Sequence, residues 1–113
     1  MLYIIKTREN ITRTSFFTIL RRGIESPDIR TWLYHPVSNR FIYRAVSWRN
    51  YGSISIEPYG KDIHKLKIVF YPNNVASFTT EDLEYARAVF LADFTQMLLI
   101  HFSDKISRLS IYP

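Results

Sequence analysis

Residues 78–103, FTTEDLEYARAVFLADFTQMLLIHFS, carry the pattern of one long, well-capped helix. Thr79 stands where an N-cap hydroxyl accepts a first-turn N–H, and Asp82, three residues on, reaches back to complete a capping box. Phe78 and Leu83 occupy the two positions of a hydrophobic staple, while Glu81, Asp82 and Glu84 bring negative charge to the positive end of the helix dipole. From Ala86 to Phe102 the apolar residues, among them Val89, Phe90, Leu91, Phe94, Met97, Leu98, Leu99 and Ile100, cover most of the circumference. Such a helix is expected to be buried on more than one side.

Working back from it, the middle of the chain reads as strands. Arg30 to His35 and Arg40 to Trp48 flank Pro36-Val37-Ser38-Asn39, and Ser53 to Glu57 and His64 to Tyr71 flank a turn from Pro58 to Ile63. Asn73 and Asn74 after Pro72 are expected to end the sheet. Leu2 to Thr7 (LYIIKT) is a further strand, and Arg108 to Pro113 alternates as a short edge strand would. Thr14 to Arg22 lacks a two-residue alternation and ends Arg-Arg-Gly, which points to a short helix with Phe16 or Phe17, Leu20 and Ile24 buried, although its Phe, Thr and Ile also suit a strand. The expected fold class is α+β: an antiparallel meander of about five strands packed on one long C-terminal helix, with a short helix after the first strand. Residues 1–113 form a single domain, large enough for one core without metal or disulfide staples.

Side chains alternate across a strand, so register decides what faces the helix. Placing Ile56 opposite Leu66 and Ile54 opposite Ile68 gathers Ile54, Ile56, Leu66, Ile68 and Phe70 on one face. Ser53, Ser55, Glu57, Lys65, Lys67 and Tyr71 then occupy the other. In the first hairpin, Tyr34 opposite Phe41 and Trp32 opposite Tyr43 leaves two arrangements open. If Leu33, Ile42, Val46 and Trp48 turn inward, then Trp32, Tyr34, Phe41 and Tyr43 form an exposed stacking platform beside Lys65 and Lys67. If the aromatic set turns inward it is simply core, and burial tendencies favour this, since the other face would bury Arg44.

The net charge of +5 is unevenly placed. Residues 1–77 hold twelve Lys and Arg against five Asp and Glu, a net +7, whereas residues 78–113 hold three against five, a net −2. Ten of the fifteen basic residues are arginine, suited to phosphate and carboxylate. An anionic partner is therefore expected on the sheet side of the molecule.

The chemistry of common enzyme classes is missing. Without cysteine there is no disulfide, thiolate metal site or cysteine nucleophile, which fits a cytoplasmic protein. Three glycines, Gly23, Gly52 and Gly60, make neither GxGxxG nor GxxxxGK, and no serine sits in GxSxG. His35, His64 and His101 lack metal-ligand spacing, and Asp28, Glu57 and Asp62 match no metal-nuclease pattern, so neither metal nor cofactor is expected. Asp93 and His101 share a helix face eight residues apart and read as a polar stripe rather than a catalytic pair. The opening MLYIIKTREN is too short and too soon charged for a signal peptide, and Arg87, Asp93 and Gln96 interrupt the long helix, so no membrane span is expected.

The reading that follows is a small non-enzymatic module that attaches to nucleic acid or a nucleoprotein complex through a basic, aromatic-containing sheet surface. Trp32, Tyr34, Arg40, Tyr43, Arg44, Arg49, Tyr51, Lys65 and Lys67 are its candidate contacts. The alternative is a protein-interaction module: a small inhibitor, an accessory subunit or a structural component of a phage or mobile-element type of assembly. Its partner would have an acidic surface, or be a second copy bound through the apolar helix. A third reading is a metal-independent ribonuclease using Arg44, Arg49, Tyr51 and His64, a chemistry that leaves little sequence signature.

Overall fold

The computed structural model describes residues 1–73 and 77–113. Its elements run β1 (Leu2–Thr7), α1 (Arg13–Gly23), β2 (Trp32–His35), β3 (Arg40–Tyr43), a single helical turn α2 (Val46–Arg49), β4 (Gly52–Pro58), β5 (Lys65–Pro72), α3 (Thr80–His101) and β6 (Ile106–Tyr112), with a 3₁₀ turn joining the last two. This is the α+β architecture expected, with six strands in one antiparallel sheet. The meander β2-β3-β4-β5 is continued by β1 and then by β6 at the edge. The C-terminal strand therefore closes onto the N-terminal one, a pairing across nearly the whole chain.

Local chemistry accounts for the helices. Thr79 Oγ1 accepts the Asp82 N–H and the Asp82 carboxylate accepts the Thr79 N–H, both at 3.0 Å, so the capping box forms as read. The ring of Phe78 lies stacked on Tyr51, centroids 4.4 Å apart, pinning the entry to α3 against the start of β4. Helix α1 is capped by Thr12 and buries Phe16, Leu20 and the following Ile24. The ambiguous stretch is thus a helix, as its missing alternation and Arg-Arg-Gly ending indicated.

Both helices pack on the same side of the sheet. Ile5, Ile54, Ile56, Leu66, Ile68 and Phe70 meet Phe16, Leu20, Phe90, Phe94 and Leu98 in one core. The second hairpin sorts its two faces as expected, but its register differs: Ile54 pairs with Phe70 and Ile56 with Ile68. The slip is two residues, which keeps every side chain on its side of the sheet. Gly52 is required at the start of β4, because a Cβ there would come within 2.5 Å of the Tyr71 carbonyl oxygen and 2.6 Å of the Phe70 ring.

The first hairpin has the register expected, Trp32 with Tyr43 and Tyr34 with Phe41. Its aromatic face turns inward. Trp32 and Phe41 are wholly buried, and Trp32 stacks on Tyr43 at 4.3 Å while meeting Phe94 edge-on at 5.0 Å. Two other expectations need correction. The run from Arg40 to Trp48 is not one strand: β3 ends at Tyr43 and the chain turns into α2, which brings Trp48 toward Tyr43, Tyr51 and Phe90. Nor is α3 buried on more than one side within this chain, since Ala86, Phe90, Leu91, Phe94, Met97 and Leu98 form one inward stripe and Tyr85, Ala88, Ala92, Leu99 and Ile100 remain exposed. The outer residues include two alanines, whose small side chains cost little in water. Asn73 follows the last residue of β5, and the expectation for Asn74 lies outside the described residues.

Candidate functional site

With both helices on one side, no element among the described residues covers the opposite face of the sheet. Alternation assigns to it Leu2, Ile4 and Lys6 from β1, Lys65, Lys67, Val69 and Tyr71 from β5, Ser53, Ser55 and Glu57 from β4, Arg40 and Ile42 from β3, and Arg108, Ser110 and Tyr112 from β6. The short central side chains Ile4, Ser53 and Ser55 are buried on this face beneath their longer neighbours, and Ile4 lies outside the main core.

The face divides into two halves of different character. Over β3, β4 and β5 the charged groups each have a partner. The Arg40 guanidinium sits 4.0 Å from the centre of the Tyr71 ring, the Tyr71 hydroxyl donates to Glu57, and Lys67 Nζ lies 3.9 Å from the same carboxylate. The hydrogen bond to Glu57 raises the Tyr71 pKa, because losing that proton would set two anions side by side.

Over β5, β1 and β6 the charges do not cancel. Lys6 pairs in register with Lys65 on one side and Arg108 on the other, so three cations lie in one row at right angles to the strands. Neighbouring strands are about 4.8 Å apart, so the row spans roughly 10 Å. Among the described residues none of the three has a carboxylate within ion-pairing distance. Asp62, in the turn before β5, feels the field of two of them. Its carboxyl is held below the ordinary carboxylate range mainly by the His64 N–H, at 2.9 Å, and also by the positive field of Lys6 and Lys65.

The structure distributes the candidate contacts unequally. Arg40, Lys65 and Lys67 reach the open face, as expected of the last two. Trp32 and Tyr43, 0% and 4% exposed, are core residues and leave no ring for stacking, which corrects their place among the contacts. Tyr43 donates its hydroxyl to Asp93 of α3, and burial above all, then that hydrogen bond, pushes its pKa far up. Tyr34 lies on the core side, bonded to Asn39 and edge-on to Phe17 at 6.1 Å. Tyr51 is committed to Phe78. Arg49 is occupied by the main chain, its Nε donating to the Tyr43 carbonyl at 3.0 Å and its Nη2 to that of Arg44 at 2.7 Å. Arg44 itself is exposed just beyond β3.

The sequence alone does not single out Lys6, Arg108 or Tyr112. Alternation within LYIIKT assigns Lys6 to a face, but only the pairing of β1 with both β5 and β6 reveals the row. The four ribonuclease candidates do not converge. His64 lies before β5, its Nδ1 2.9 Å from the Ile11 carbonyl, whereas Arg49 and Tyr51 lie by the far end of that strand, where the Asn73 N–H donates to the Tyr51 carbonyl.

On the helical side, Asp28, Arg30, Asp93, Gln96, Met97 and His101 line a cleft of about 330 Å³. Asp93 is satisfied there by Tyr43, in keeping with a polar stripe. Among the described residues no three His, Asp or Glu side chains gather as a metal-ligand set, and no helix is long and apolar enough to cross a membrane. No protein-family model, no curated protein and no solved structure matches this chain.

Proposed function

We propose that this chain is a binding module for the phosphate backbone of nucleic acid, free or within a nucleoprotein complex, and that it binds through the open face of the sheet. The observation that carries the reading is the row Lys65-Lys6-Arg108, three cations in register on an uncovered surface with no carboxylate paired to them. Like charges directly across a sheet destabilise it. A phosphate backbone laid along the row would remove that repulsion and release its own counterions.

The test is a titration of labelled oligonucleotide over a range of salt concentrations. Three phosphate contacts predict that the logarithm of the association constant falls against the logarithm of salt with a slope of about −2 on a single strand. The triple substitution Lys6→Gln, Lys65→Gln, Arg108→Gln should flatten the slope and weaken binding of every sequence alike. Absence of binding at low ionic strength would reject the proposal.

A protein-interaction reading is favoured by a separate observation, the exposed outer stripe of α3, in which Tyr85 and Ile100 are each 64% exposed and Leu99 48%. It predicts a dimer in light scattering that Tyr85→Lys with Ile100→Lys returns to monomer. A wild-type protein that is monomeric at high concentration counts against self-association through this face.

A further inference from the structure

Resting on the basic-face reading, we infer that the ligand is specifically single-stranded, laid across β5, β1 and β6 with its phosphates on Lys65, Lys6 and Arg108 and a base stacked on Tyr112. A duplex offers two phosphate ridges on either side of a groove, and a surface that holds it gains from contacting both. Here there is one row without a salt-bridge partner among the described residues. The other cations of the face, Arg40 and Lys67, are engaged with Tyr71 and Glu57.

Beside the row the surface suits bases rather than phosphates. Moving along β1 and β6 from Lys6 and Arg108, the next pair is Ile4 with Ser110 and the one after it Leu2 with Tyr112. The two open-face tyrosines of β5 and β6 then differ in one respect. The Tyr71 ring is covered by the Arg40 guanidinium, whereas Tyr112 is 49% exposed and, among the described residues, its side chain has neither an aromatic neighbour nor a hydrogen-bond partner. Arg108 and Tyr112 stand four residues apart on one strand, about 13 Å, with only the short Ser110 between them on that face. The long Arg108 side chain covers part of that distance. An unpaired base turned away from the row can therefore pass over the short Ser110 to reach the ring, which a base held inside a duplex cannot do.

The decisive measurement uses the full chain and three probes: a single strand of roughly eight nucleotides carrying 2-aminopurine, the matching duplex, and inorganic polyphosphate. The single strand should bind more tightly than the duplex, with quenching of the 2-aminopurine fluorescence as it stacks. Tyr112→Ala should lower single-strand affinity roughly five-fold or more and abolish the quenching, and Tyr112→Phe should preserve both. Polyphosphate affinity should be the same for all three proteins, which also shows the variants folded. If duplex or polyphosphate binds as well as the single strand, or Tyr112→Ala changes nothing, this inference fails while the basic-face reading stands. If none of the probes binds at low salt, the basic-face reading fails and takes the inference with it.

Discussion

The two faces of the sheet are built from the same strands, yet they resolve their polar groups in opposite ways. On the core face a tyrosine, Tyr43, donates to a carboxylate, Asp93, inside a ring of aromatic side chains, with Trp32 at 4.3 Å and Phe90 at 4.5 Å. On the open face Tyr71 makes the same kind of bond to Glu57, but next to Arg40 and Lys67 rather than aromatic rings. The first bond ties α3 to β3 across the core. The second links neighbouring strands and holds Glu57 beside Lys67, so that one of the two cations on that half of the face is balanced. The same pair of chemical groups serves cohesion between helix and sheet on one side and links neighbouring strands on the other, and the first has its tyrosine ring buried whereas both partners of the second are half-exposed.

Truncation should separate the faces most clearly. Trp32→Ala is expected to cost about 3–5 kcal/mol in urea denaturation, since it empties a fully buried site, whereas the adjacent Leu33→Ala, half-buried on the open face, should cost less than about 2 kcal/mol. Comparable losses at the two positions would mean that a further layer covers the open face. At the next scale, Tyr43→Phe removes a hydrogen bond from a buried ring to the half-buried Asp93 carboxylate and should cost about 1.5–3 kcal/mol. Tyr71→Phe should stay within about 1 kcal/mol, because solvent can take its place beside Glu57. Equal effects in the two tyrosine variants would break the comparison.

The smallest effect concerns pH. Asp62 has its folded pKa lowered, chiefly by the His64 N–H and further by Lys6 and Lys65. A carboxyl depressed on folding contributes stability above its unfolded pKa, and that contribution disappears as pH falls through the folded value. Asp62→Asn should therefore be less stable than wild type at neutral pH, with the difference vanishing below the ordinary carboxylate range. Denaturation curves of the two proteins from pH 7 to strongly acid conditions would check this, and a constant offset at every pH would refute the electrostatic account.

Much of the architecture was legible because it is specified over short distances. The Thr79-Asp82 capping box, the Arg-Arg-Gly ending of α1 and the alternation of Ser53 to Glu57 each depend on neighbours within a few residues. A two-residue register slip left the face assignment of the second hairpin intact. Where the first hairpin turned, the preference for burying aromatic rings proved the better guide than the basic composition around it. The contacts proposed on its rings failed for the same reason: Trp32 and Tyr43 gain more by closing the core than by standing in water.

The sequence by itself determined the long helix and the sorting of Ile54 to Phe70 from the serines and lysines between them, since period and capping act within one element, and it favoured a helix over residues 14–22. Only the tertiary structure decided which strands became neighbours at the N- and C-terminal ends of the chain. Lys6, Lys65 and Arg108 are separated by tens of residues, and no local signal links them. They form one surface because β1 pairs with β5 on one edge and with β6 on the other.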